Sequence, residues 1–115
     1  MGWAVAIHGG AGAMPSRLSA ERADEITEAL GRIVDEAAGR LDDGGTALDV
    51  SESAVIALEE CAHFNAGRGS VLTAAGDHEL EASIMDGQAG TAGAACCLRT
   101  IRNPIRMARQ VMERT

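Results

Sequence analysis

Apolar residues recur along this chain at two distinct periods, and the switch between them marks the elements. Ile26, Leu30, Ile33, Val34, Ala37 and Leu41 return at helical spacing, a single stripe on a helix of about six turns. Ser19 is placed to cap its start, with Glu21 in the first turn, and Gly44-Gly45 end it. Thr46 followed by Asp49 is a variant of the capping box, and it opens a second helix that runs through Val55 and Leu58 to about Glu60. So short a turn predicts two antiparallel helices on a common surface.

The strand signals flank this pair. Residues 4–7 are a short β-leaning run that stops at His8-Gly9-Gly10, which predicts a buried strand ending in a Gly-rich turn. Pro15 and Ser16 keep the next stretch irregular. After residues 61–69, where all periodicity dissolves into a loop, three β-like runs follow at 70–73, 79–85 and 93–98. Ala75-Gly76-Asp77 and Asp86-Gly87 mark the turns between them. Asn103-Pro104 starts a last helix with proline at its first position, and Ile105, Ala108, Val111 and Met112 share one face. The fold class is α+β. The order strand, two helices, three strands, helix supplies one helical layer and part of a sheet, with no second helical layer for the other face. A sheet so uncovered leads us to expect a chain that folds poorly alone and seeks a mate.

Composition sharpens that expectation. Of the 115 residues 46% are hydrophobic, yet only Trp3 and Phe64 are aromatic, so the core is built from small side chains. An independent small domain more often has several aromatic anchors, and the chain reads as a single incomplete domain, a piece of something larger. Ten basic against 17 acidic residues give a net charge of −7. That surface repels phosphate backbones and anionic lipid, which argues against nucleic acid and membrane as partners. No apolar run approaches the roughly 20 residues needed to cross a bilayer, and no secretory signal stands at the start. The three cysteines lack metal-type spacing. Cys96 and Cys97 are adjacent, so a regular strand would point them to opposite faces. Reduced thiols in a cytoplasmic protein are the simplest reading.

Four places could carry chemistry, each with a structural alternative. His8-Gly9-Gly10-Ala11-Gly12 follows a strand. It is either a ligand-facing backbone turn or a tight turn beside a hydrogen-bonded core histidine. It is no dinucleotide fingerprint, because the glycine spacing is wrong and no helix follows at once. The loop 58–68 leaves the last carbonyls of the second helix without intrahelical partners. Either water satisfies them or a hard cation does. Cys61 and His63 in that loop are only two donors, short of a closed zinc site. Glu79 and Glu81, with His78 and Asp86 nearby, share one strand face. They are an acid–base pair or simply a solvated face. Thr91, in Gly90-Thr91-Ala92-Gly93, would need a base and an oxyanion hole to be a nucleophile; lone threonines in turns are common.

Taken in order, these segments resemble one family. The motifs are His8-Gly9-Gly10-Ala11-Gly12-Ala13, Ala47-Leu48-Asp49-Val50, Leu58-Glu59-Glu60-Cys61 with Phe64-Asn65-Ala66-Gly67-Arg68-Gly69, His78-Glu79-Leu80-Glu81-Ala82 with Met85-Asp86-Gly87, and Arg102-Asn103-Pro104 with Ala108-Arg109 and Val111-Met112-Glu113. Together they are similar to the plant-type asparaginases and isoaspartyl peptidases, N-terminal nucleophile hydrolases related to glycosylasparaginase, along the whole chain.

The resemblance implies part of a four-layer αββα sandwich, and a precursor that cuts itself before a threonine whose freed α-amino group activates its own hydroxyl. Asparagine and β-aspartyl dipeptides would be the substrates, a β-subunit of the same precursor the partner, and (αβ)2 the assembly. The nucleophile belongs to a Gly-Thr-x-Gly motif beyond residue 115. Gly90-Thr91-Ala92-Gly93 imitates that motif, but the flanking matches place Thr91 elsewhere. On this reading residues 1–115 are α-subunit support, inactive alone. Asn65 would sit against the nucleophile, and His8, Gly9 and Gly10 would line the same site. No organic cofactor is implied. The main-chain carbonyls of Leu58, Glu59, Cys61, Phe64, Ala66 and Arg68 match a loop that binds structural Na⁺. Glu81 stands where aspartate is usual, and Arg68 where an apolar residue is frequent. Two rival classes remain: a non-catalytic module that binds an ion or a partner, and a nucleotide-binding domain using residues 8–12, against which the missing helix argues.

Overall fold

The computed structural model describes residues 2–10 and 18–115. Ala11, Gly12 and Ala13 of the expected Gly-rich turn, with Pro15 and Ser16, lie outside the described residues. Helix α1 (Ala20–Asp42) begins where Ser19 Oγ accepts the Arg22 N–H at 3.1 Å, satisfying a donor the helix itself cannot. It ends where the Gly45 N–H reaches the Arg40 carbonyl at 2.8 Å. Gly44 turns at φ +88°, and a Cβ at Gly45 would stand 2.7 Å from the Arg40 oxygen, so glycine is required twice. Helix α2 (Ala47–Glu60) starts two residues later, with Thr46 Oγ1 accepting the Asp49 N–H at 3.1 Å.

The two helices are antiparallel. Gly45, at their joined ends, touches both Arg40 and Val50, while beyond the far end of α2 His63 Nε2 lies 3.9 Å from Glu25 Oε2, early in α1. Between them Ala29, Ile33 and Ala37 of α1 meet Val50 and Ala54 of α2, and Phe64 closes the cluster. Small residues at four-residue steps let the helix axes approach closely.

A second cluster lies on the other side of α2. Strands β1 (Leu80–Asp86) and β2 (Thr91–Leu98) form an antiparallel hairpin, and α3 (Pro104–Arg114) lies across one face of it. Ile84, Ile105, Ala108 and Met112 are buried there, with Leu48, Val55 and Ile56 of α2 packed against them. Gly93 makes this possible: a Cβ on it would run into the Ala108 carbonyl and the Met112 N–H, so α3 rests directly on strand backbone. Asp86 sets the hairpin turn, its Oδ1 accepting the Gln88 N–H at 2.9 Å. Arg109 ties α3 to α2 through Asp49 (2.6 Å) and Glu52 (2.5 Å), with Glu113 at 2.7 Å on its own helix. The guanidinium holds the Asp49 carboxyl below the usual range.

Three expectations need correction. Residues 4–7 form no ladder: Val5 and Ile7 are half-buried and alternate with exposed Ala4, Ala6 and His8, a strand's period without a strand partner. Residues 70–73 form none either. The Thr73 N–H is drawn into a turn with the Asp77 carbonyl at 2.8 Å, and Val71 and Leu72 are exposed. Both runs lack a neighbouring strand among the described residues, and an extended segment becomes a strand only by pairing. The third concerns the cysteines. Register shifts between Leu80 and Ala82, so β2 is bulged at Cys96-Cys97, and both side chains are exposed instead of dividing between faces.

The molecule is therefore α+β, a slab whose shortest extent is 19 Å. With layers spaced by about 10 Å, that thickness holds two. One hairpin face is covered by α3; the other, carrying Glu81, Ser83, Met85, Ala92 and Ala94, is exposed.

Candidate functional site

The candidate site grows from the end of α2. After Glu60 the helix has no glycine cap, and the Cys61 N–H makes only a 3.3 Å bond back to the Leu58 carbonyl. The chain then coils tightly: the Phe64 N–H reaches the Cys61 carbonyl at 3.3 Å, the Ala66 N–H that of Phe64 at 2.8 Å, and the Gly69 N–H that of Ala66 at 3.0 Å. Gly67 (φ +48°) opens a short 3-10 turn, Gly67–Gly69, that lies back on the last turn of α2. A Cβ at Gly67 would stand 2.6 Å from the Glu59 carbonyl oxygen, and one at Gly69 would hit the Phe64 carbonyl. The loop is thus folded onto itself, main chain against main chain. Of the six carbonyls expected to hold an ion, those of Leu58, Cys61, Phe64 and Ala66 each accept one backbone N–H, which leaves each a second lone pair.

Beneath the loop stands a residue the sequence reading treated only as a carbonyl donor. The Glu59 side chain is buried at 3% exposure. Its Oε1 accepts the Ile105 N–H at 3.0 Å and its Oε2 the Asn103 Nδ2 at 3.1 Å. Asn103 makes no capping bond of its own at the start of α3, so Glu59 caps that helix from a distance, where a helix N-terminus favours negative charge. Burial pushes its carboxyl above the usual value, against the pull of those hydrogen bonds. The sequence did carry a signal: Glu59 stands three and four residues after Ile56 and Val55, on the inward stripe of α2. Next to it, half-buried Glu60 takes a two-pronged bond from Arg102 (2.8 and 2.7 Å). Those bonds, with one from Asn103, lower its carboxyl to about 2.

Between the loop, α2 and β1 opens a cleft of about 430 Å³ that includes Val55, Glu59, Asn65, Ser70, Glu79 and Glu81. Asn65 is exposed, and its Oδ1 accepts the Val71 N–H at 2.9 Å, holding the segment after the loop. Gly9 packs between Phe64 and Leu30, a Cβ there standing 3.0 Å from the Phe64 ring. The His8-Gly9-Gly10 segment is thereby brought to the residue preceding Asn65. His8 itself is exposed, as is Arg68. Ser70 Oγ lies 2.8 Å from His78 Nδ1.

The remaining candidates are dispersed. Glu79 pairs with Arg99 at 2.6 Å on the surface, Glu81 is exposed, and Asp86 is spent on the hairpin turn, so the three carboxylates form no shared acid–base centre. Thr91 is exposed at the start of β2, opposite Asp86. His63 Nδ1 is buried without a hydrogen-bond partner among the described residues.

A family model described as asparaginase matches residues 1–115. The chain is 46% identical over 111 residues to an isoaspartyl peptidase/L-asparaginase of Mus musculus, covering 96% of this chain and 33% of that protein. It is 47% identical over 112 residues to an isoaspartyl peptidase of Escherichia coli K12, covering 96% and 35%. A probable isoaspartyl peptidase/L-asparaginase 2 of Arabidopsis thaliana is 45% identical over 114 residues, covering 99% and 35%. The chain spans about a third of the length of these relatives.

Proposed function

Because the chain belongs to the asparaginase family, we propose that it is the amino-terminal part of the α-subunit of an enzyme that hydrolyses the side-chain amide of asparagine and β-aspartyl dipeptides. The observation that carries this reading is identity near 46% across almost the whole chain to proteins named isoaspartyl peptidase/L-asparaginase. The nucleophile is an N-terminal threonine outside residues 1–115, freed by autocatalytic cleavage, with its own α-amino group as base. Residues 1–115 form an incomplete single domain, and the partner is the β-subunit of the same precursor in an (αβ)2 assembly, cytoplasmic as the reduced cysteines suggest. The exposed outer face of the β1–β2 hairpin supports completion as a four-layer αββα sandwich, since a second sheet stacks at about 10 Å on such a face. No helix among the described residues is long and apolar enough to cross a membrane.

Within this reading the chain positions and does not attack. Asn65 orients the nucleophile, with the His8-Gly9-Gly10 turn beside it. The carbonyls of Leu58, Glu59, Cys61, Phe64, Ala66 and Arg68 hold a structural Na⁺. The residues suit the ion: carbonyl oxygens carry partial charge, which fits a singly charged hard cation better than a transition metal. The return of Gly67 onto Glu59 keeps the loop wound, and Na⁺ would supply rigidity. The test is ammonia release from asparagine and aspartate release from a β-aspartyl dipeptide. The 115-residue chain alone should release neither, and a protein in which it continues into a Gly-Thr-x-Gly segment should release both. Release by the chain alone that Thr91→Ala abolishes would make Thr91 the nucleophile and overturn the reading. A continued protein that binds but never turns over would favour a non-catalytic module.

A further inference from the structure

Three segments of the chain meet at Glu59. Its backbone belongs to the last turn of α2. Its carboxylate reaches the start of α3, 44 and 46 residues away, where Oε2 accepts the Asn103 Nδ2 and Oε1 the Ile105 N–H. Its own main chain and Cβ carry the returning loop. A Cβ built on Gly67 would stand 2.6 Å from the Glu59 carbonyl oxygen, 2.7 Å from its Cβ and 3.0 Å from its Cα. Gly67 therefore rests on Glu59 with nothing between them. From that contact the chain is hooked twice: the Ser70 N–H bonds the Gly67 carbonyl at 3.1 Å, and the Val71 N–H bonds Asn65 Oδ1 at 2.9 Å. Glu59, Asn65 and Gly67 line the same cleft of about 430 Å³. At 3% exposure Glu59 is buried by residues of this chain.

We propose that the Glu59 side chain is a positioning residue for the hydrolysis: it fixes the loop from below, so that Asn65 keeps one pose in the cleft. This rests on reading the cleft as an amidohydrolase site. Burying a carboxylate is costly unless its oxygens are hydrogen-bonded, and here each has a donor supplied by a distant element. The side chain is therefore locked at its far end by α3 and at its near end by α2. Its Cβ, the surface on which Gly67 lies, has no freedom left. A group held in this way by its neighbours keeps a site within the narrow tolerance that catalysis demands. Glu59 makes and breaks no bond in the reaction. It acts through Gly67 on Asn65, two residues before.

The experiment uses the protein in which this chain continues, assayed for ammonia release from asparagine well below its melting temperature. Glu59→Ala is expected to lower kcat about tenfold with KM unchanged, since a misplaced positioning group is felt in the transition state. The Val71 amide proton resonance should move upfield in the same variant as its bond to Asn65 loosens. Glu59→Gln, whose amide oxygen still reaches the Ile105 N–H, regains most of the lost kcat. Glu59→Asp, charged but one methylene short, does not. Because Glu59→Ala also costs stability, Asn103→Ala is the second probe: it removes one of the two carboxylate bonds and must lower kcat by a smaller factor, again at constant KM. A Glu59→Ala protein that loses stability but keeps its kcat and its Val71 resonance overturns the proposal. So does a loss that Glu59→Gln leaves as deep as Glu59→Ala. A continued protein that turns over no substrate overturns the enzymatic reading instead, and the Val71 resonance then decides the positioning by itself.

Discussion

The two sides of α2 are built on different principles. Towards α1 the packing is apolar and closed: small residues at helical steps, sealed at one end by Phe64, with Val5 and Ile7 laid over it. Towards the hairpin the apolar cluster is smaller, and polar groups hold the parts together, Glu59 at the start of α3 and Arg109 along its length. Apolar burial is indifferent to what lies beyond it. A sheet with one covered face is half of a packing unit. The first side is complete in itself, and the second is shaped to receive more.

Mutations should separate the two sides. The largest loss is expected from Phe64→Ala, about 3–5 kcal/mol for truncating a buried aromatic, read as a fall in the urea midpoint. It should loosen the α1–α2 contact together with the loop, since Phe64 also backs Gly9. An effect under about 1 kcal/mol would show that the first side has no single seal. Glu59→Ala is expected to cost about 2–3 kcal/mol, because it strands the Ile105 N–H without its charged acceptor. Amide exchange should quicken in α3 and stay unchanged in α1. Equal quickening in both helices would refute the division.

Much of this is legible in the residues alone. Ser19, Thr46 and Pro104 mark helix starts because capping and proline chemistry are local, and Asp86-Gly87 announces the hairpin for the same reason. What escaped was non-local. Residues 4–7 and 70–73 have strand patterning, yet a ladder depends on a partner distant in sequence. The bulge at Cys96-Cys97 places a cysteine in left-handed backbone, which no propensity suggests. At the candidate site, the unpartnered carbonyls at the end of the second helix point to the loop 58–68, and Asn65 comes only from the family resemblance. That its Oδ1 holds the Val71 N–H, and that Glu59 caps α3, depended on tertiary approach.

Two smaller effects sharpen the comparison. Cys97→Gly should stabilise the hairpin by about 0.5–1 kcal/mol if relief at φ +55° outweighs the added chain entropy of glycine, a modest rise in Tm. A fall in Tm would show that the bulge is held by its side chains. The adjacent glutamates should then tilt the pH profile in opposite directions. Glu60 has its folded pKa lowered from 4.5 to about 2, so its stabilisation is present above 4.5 and lost as pH falls towards 2. Glu59 has its folded pKa raised above 4.5, so it weakens the fold as pH rises through 4.5 to that raised value. Glu60→Gln should flatten the acid limb, and Glu59→Gln the slope above 4.5; urea midpoints across pH decide each.

The central claim, a self-contained α1–α2 side and a hairpin side awaiting its cover, is tested most directly by hydrogen exchange on the 115-residue chain alone and on a protein in which it continues. The account predicts that amides of β1, β2 and α3 become markedly slower when the continuation is present, while those of α1 facing Ala29, Ile33 and Ala37 keep their protection. Hairpin amides equally protected in both, or an α1 that gains as much as the hairpin, would contradict it.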